Sequence, residues 1–93
     1  MKAILTYKTT TDGKTEERTR LFDTGKAKKI CDVTNTFGHK VQEIYITEKG
    51  TVFLYTTTGK GKLEVADQKS VKGWIGENEP DRYIEFFGEV EEG

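Results

Sequence analysis

A chain of 93 residues makes one domain with a single modest core, and 33% hydrophobic against 33% charged residues means that a few well-placed apolar groups must build it. Fifteen basic and sixteen acidic residues leave a formal charge of −1, which excludes the basic excess typical of general nucleic-acid binders. Aromatic residues at 11% and regular apolar spacing exclude a disordered composition.

In chain order, KAILTYKTT and KTEERTRLF flank Asp12-Gly13, the favoured pair for a two-residue type I′ turn. That turn sets Thr11 opposite Lys14, Ile4 opposite Leu21 and Thr6 opposite Thr19. The other face then carries Leu5 opposite Arg20 and Tyr7 opposite Arg18. A helix is expected next, capped by Asp23 or Thr24 and ended near Asn35 or Gly38. Ala27, Ile30, Cys31 and Thr34 follow the i, i+3, i+4, i+7 spacing of a buried stripe.

Residues 40 to 57 read as a second hairpin around Glu48-Lys49-Gly50, with Thr47 opposite Thr51. Ile44, Ile46, Val52 and Leu54 then share one face, the natural seat for helices, while Tyr45, Phe53 and Tyr55 share the other. KLEVAD offers a fifth, short strand. Asp67 or Ser70 starts a helix through Val71, Trp74 and Ile75. Asn78-Glu79-Pro80 restarts a last helix, DRYIEFFGEV, with Asn78 as cap; Tyr83, Ile84, Phe87 and Val90 lie on one side and Phe86 off it. The expected fold is α+β over residues 1–93: a single antiparallel sheet of two β-hairpins, with or without this fifth strand, one helix between the hairpins, and one or two C-terminal helices.

Chemistry is sparse in this pattern. The run TTTGKGK ends in lysines and glycines, but Gly59-Lys60-Gly61-Lys62 lacks P-loop spacing and precedes a β-like segment, so it reads as a turn. His39 and Cys31 are the sole histidine and cysteine, too few for a structural zinc site, and no motif supports a Cys–His nucleophile. The paired carboxylates sit in stretches expected to be solvated, where pKa values are not pushed toward catalysis. No catalytic residue, metal or cofactor is therefore expected. A single cysteine excludes an intrachain disulfide and fits a reducing compartment. MKAILTYKTT lacks a signal peptide's apolar region and no run spans a bilayer, so a cytosolic bacterial or viral chain without membrane association is expected.

Two surfaces remain as candidates. One is a sheet face of Tyr7, Arg18, Arg20, Tyr45, Phe53 and Tyr55, with rings and arginines suited to a protein partner or to stacked bases. The other is the apolar and acidic tail around Phe86, which suits a partner, a second copy of the chain, or the sheet itself.

LFDTGKAKKICDV, EIYITEKGTVFLYTTTGKGK and VKGWIGEN together resemble a group of small uncharacterised proteins of bacteria, phages and mobile elements. These carry a helix, a "LYxTxxGxxFLY" hairpin and a late helix with Trp. The likeness spans residues 21 to 78 and departs from the pattern at TTTGKG, where a glycine pair is usual. It implies an α+β fold and a mobile-element setting, and no catalytic residues. The expected function is a small non-catalytic binding module, a regulator or inhibitor acting by protein contact, such as an anti-defence or anti-CRISPR protein. The alternative is a nucleic-acid-binding accessory that uses the ring and arginine face.

Overall fold

A computed structural model describes residues 1–91 and 93. Six strands precede two helices: β1 (Lys2–Thr11), β2 (Lys14–Asp23), β3 (Lys28–Thr34), β4 (Lys40–Ile46), β5 (Val52–Thr56), β6 (Lys62–Val65), α1 (Gln68–Asn78) and α2 (Pro80–Phe87). They form a two-stranded sheet, β1-β2, and a four-stranded antiparallel meander, β3-β4-β5-β6. The hairpins thus do not join in one sheet. The first lies across the second as a separate layer, with β1 close to β6 but not hydrogen-bonded to it.

Both hairpins keep the expected register. Thr11 faces Lys14, Leu5 faces Arg20 and Tyr7 faces Arg18. Asp12 and Gly13 both take positive φ, 52° and 77°, as a type I′ turn requires. In the second hairpin Ile44 faces Leu54 and Tyr45 faces Phe53, and Thr47 N–H donates to Thr51 O at 2.9 Å. β6 completes the meander, pairing Phe53 with Val65.

Residues 28–34, expected as the middle of a helix, form strand β3. A bulge between Lys29 and Cys31 explains the misleading pattern. The extra residue lets Ile30 and Cys31, neighbours in sequence, both point into the helix-side core, which an unbroken period of two forbids. A bulged strand and a helix thus share the adjacent apolar pair. Ala27, read as part of the same stripe, goes instead to the opposite layer. The β-branched residues Ile30, Val33 and Thr34 agree with the strand.

The four-stranded sheet therefore divides two small cores. On one face Ile30, Cys31, Ile44 and Val52 receive Val71 and Ile75 of α1, with Tyr83, Phe86 and Phe87 of α2 at the margin. This is the aliphatic face expected to seat the helices. On the other, Phe53 and Leu63 receive Phe22 of the first hairpin, flanked by Leu5 and Tyr7. Large rings bury more area than an aliphatic pair. The hairpin accordingly turns Phe22 and Tyr7 inward and leaves Ile4 72% and Leu21 57% exposed.

At the α1 start, Asp67 Oδ2 accepts from Ser70 N–H at 3.0 Å, as a helix cap should. The helix restart differs in detail from expectation. Glu79 is shared by both helices as end and start, with Pro80 opening α2, while Asn78 donates through Nδ2 to Trp74 O. α2 ends at Phe87, with Gly88 at φ 90°.

Candidate protein-binding surface

The structure brings four of the predicted residues together, with Phe53 buried and Tyr7, Tyr45 and Tyr55 half-buried around it. Tyr7 meets Phe22 edge-on at 5.6 Å, Phe22 meets Phe53 at 5.1 Å, and Tyr45 stacks on Phe53 at 5.5 Å and 19°. Phe53 is 0% exposed. Tyr55 packs beside this group and closes on Gly61, where an added Cβ would lie 3.0 Å from the Tyr55 ring. The aromatic row that the hairpin register creates is the contact between the layers. The covering element is the first hairpin.

Arg18 and Arg20 lie on β2, opposite Tyr7 and Leu5 across the hairpin. The Arg18 guanidinium reaches Thr9 Oγ1 at 3.3 Å and Glu16 at 3.2 Å. Arg20 Nη1 donates to the Thr19 carbonyl at 2.8 Å. Phe86 sits in the opposite layer, half-buried against the helix-side core. The large apolar tail residues left exposed are instead Ile84 and Val90, which border a cavity of about 550 Å³ between α1 and α2. The seven predicted residues do not make one surface.

A polar cluster the sequence did not reveal borders the aromatic row. Glu43 is buried in β4; it accepts from Tyr45 Oη at 2.6 Å and pairs with Lys40, with Lys29 at 3.8 Å. Bonds from Lys40 and Tyr45 hold the Glu43 carboxyl below its usual range. Burial, then the bond to Glu43, pushes the Tyr45 phenol up to about 12. Both shifts move away from neutrality, so this pair stays carboxylate and phenol at physiological pH. Acid–base catalysis requires the reverse. Burial, then Glu79, pushes the Cys31 thiol up to about 11, which suppresses the reactive thiolate. Among the described residues no group of three His, Cys, Asp or Glu side chains is placed to hold a metal ion, and no helix is long and apolar enough to cross a membrane.

The most exposed large apolar side chain is one the sequence reading passed over. Phe37, 82% exposed, tips the loop between β3 and β4. Four hydrogen bonds on Asn35 fix that loop: Asn35 Oδ1 accepts from Phe37 N–H at 2.9 Å and His39 N–H at 3.0 Å. Its carbonyl accepts from Gly38 N–H, and its own N–H donates to His39 O. Asn35 and Gly38 had signalled a helix end. The same residues serve a hairpin loop as readily, and the strand assignment alone gives Phe37 its meaning.

Comparison with protein-family models, curated proteins and solved structures returns no match to this chain.

Proposed function

We propose that this chain is a non-catalytic protein-binding module anchored by Phe37. The carrying observation is an aromatic side chain at 82% exposure on a loop already fixed by Asn35. Aromatic anchors contribute a disproportionate share of interface energy. A loop ordered before binding loses little conformational entropy when it docks. The partner offers an apolar pocket that fits a phenyl ring, and His39 and Lys40 supply a polar rim. A regulator or inhibitor of a phage or mobile element, acting by contact, is a role of this kind.

The test compares wild-type and Phe37→Ala proteins as baits in lysates of the source organism. The expected result is a partner captured by the wild type and lost with the variant. The loop stays folded, because the removed ring covers almost nothing. A partner retained by Phe37→Ala would remove Phe37 as the anchor.

A further inference from the structure

The outer edge of β2 is a second unpartnered feature, on a different element from the Phe37 loop. Among the described residues β2 pairs with β1 alone. In a hairpin closed by a two-residue turn, hydrogen-bonded and non-hydrogen-bonded pairs alternate from the turn. Starting from Thr11 and Lys14, the bonded positions on β2 are Glu16, Arg18, Arg20 and Phe22. The Thr24 N–H bond to Met1 O at 2.9 Å continues this phase at the open end. The backbone N–H and C=O groups of Thr15, Glu17, Thr19 and Leu21 therefore point away from β1. The Arg20 guanidinium lies on one of them, the Thr19 carbonyl, at 2.8 Å.

Beside the C-terminal half of this edge runs a cavity of about 540 Å³, between β2 and the turn that joins β4 to β5. Its lining includes Phe22 and three cationic side chains, Arg20, Lys26 and Lys49, with carboxylates at Asp23 and Glu48. Asp23 Oδ1 already accepts from Gly25 N–H at 2.9 Å.

We propose that β2 takes an extended segment of a protein partner as a third strand of its sheet, with an acidic side chain of that segment in the cavity bordered by Arg20, Lys26 and Lys49. The edge supplies donors and acceptors at strand spacing, which an extended peptide matches on both counts. A phosphate backbone matches only the donors, and the outward carbonyls repel it. The cavity offers no free ring for a base, since Phe22 is buried against Phe53. On docking, Arg20 exchanges the Thr19 carbonyl for the incoming carboxylate, and a partner N–H takes its place on the carbonyl. The guanidinium thus masks the edge until a segment with a complementary charge arrives.

The inference shares with the Phe37 proposal only the choice of a protein partner, and its test is separate. A displayed library of random linear peptides is selected on the wild-type protein, and backbone amide exchange is followed with and without the best binder. In the free protein, Glu17, Thr19 and Leu21 exchange quickly, while Arg18 and Arg20 are protected. The expected result is acidic peptides that protect Glu17, Thr19 and Leu21. Binding should fall about tenfold or more in Thr19→Pro, which removes an outward donor. It should be unchanged in Lys8→Pro, the matched change on the outer edge of β1. Arg20→Gln should abolish the preference for Glu over Gln in the peptide.

The exchange measurement needs no variant, so it decides the matter even if Thr19→Pro fails to fold. Failure to select any peptide, or binding that leaves the three amides unprotected, overturns the proposal. A concentration-dependent dimer lost in Thr19→Pro gives the edge to a second copy and overturns it too. So does single-stranded oligonucleotide binding that Arg20→Gln abolishes and Thr19→Pro spares. A natural partner lost with Phe37→Ala but indifferent to Thr19→Pro ends this inference and leaves the earlier one standing.

Discussion

Glu43 sits in the sheet with one carboxylate oxygen on Tyr45 Oη and the other facing Lys40 and Lys29. Its folded-state pKa is lowered, so its stabilisation is complete above the ordinary carboxyl value of 4.5 and is lost as pH falls through the lowered one. Tyr45 and Cys31 act at the other limit. Their folded-state values are raised, from 10.0 to about 12 and from 9.0 to about 11. Their stabilisation is complete below the unfolded values and is lost as pH rises through the folded ones. Melting temperature should therefore fall from about pH 9 to pH 12, where these shifts lie. Tyr45→Phe should flatten the upper part of that fall, and Glu43→Gln should flatten the acid limb below pH 4.5. Profiles that superimpose on the wild type would show that the cluster is not a source of stability. Phe37 is the contrasting residue: Phe37→Ala should leave the melting temperature unchanged, since at 82% exposure the ring buries little area.

At the level of elements, Gln68 joins a helix to a strand. Its Oε1 accepts from Val52 N–H at 2.8 Å, and its Nε2 donates to Val52 O at 2.8 Å and Ala66 O at 3.0 Å. β6 has ended at Val65, opposite Phe53, so the side chain of Gln68 extends the ladder one position where backbone no longer can. Gln68→Ala leaves the Val52 amide without its partner beside a fully buried side chain. Urea unfolding should show a loss of about 1–3 kcal/mol, and a negligible loss would mean that water replaces the amide. Nothing local in the sequence marks Gln68, because the strand residue it bonds, Val52, lies sixteen residues away. The same holds at β3, where the bulge at Ile30 imitates a helical stripe. The two hairpins were legible because Asp12-Gly13 and Glu48-Lys49-Gly50 specify their turns locally, and a turn fixes the register of both its strands.

For the whole molecule, the critical contact is that of Phe22 on Phe53, where the first hairpin docks on the meander. Each core is small, and an isolated two-stranded hairpin is marginal in water, so the layers depend on each other. Phe22→Ala should destabilise the protein by about 3–5 kcal/mol. It should also expose the row from Tyr45 to Tyr55, measured as a gain in binding of a hydrophobic dye. Tight native packing without dye binding in that variant would show that the hairpin is held elsewhere. The rings expected to meet a partner thus have one within the chain. The Phe37 loop and the β2 edge lie outside that contact.

The sequence by itself determined the α+β class, both hairpin registers and the break at Pro80, and it offered the short strand after Gly61 and Asp67 or Ser70 as the start of α1. Each is set by residues within a turn or two of one another. It also determined that Tyr45, Phe53 and Tyr55 share a face. Only the tertiary structure decided what lies over that face, that residues 28–34 are a strand, and that Phe86 turns inward while Phe37 turns out. Those outcomes depend on which apolar surfaces meet. Two faces of one sheet compete for a hairpin and two helices, and that competition is settled by the area and shape of whole elements rather than by any local pattern.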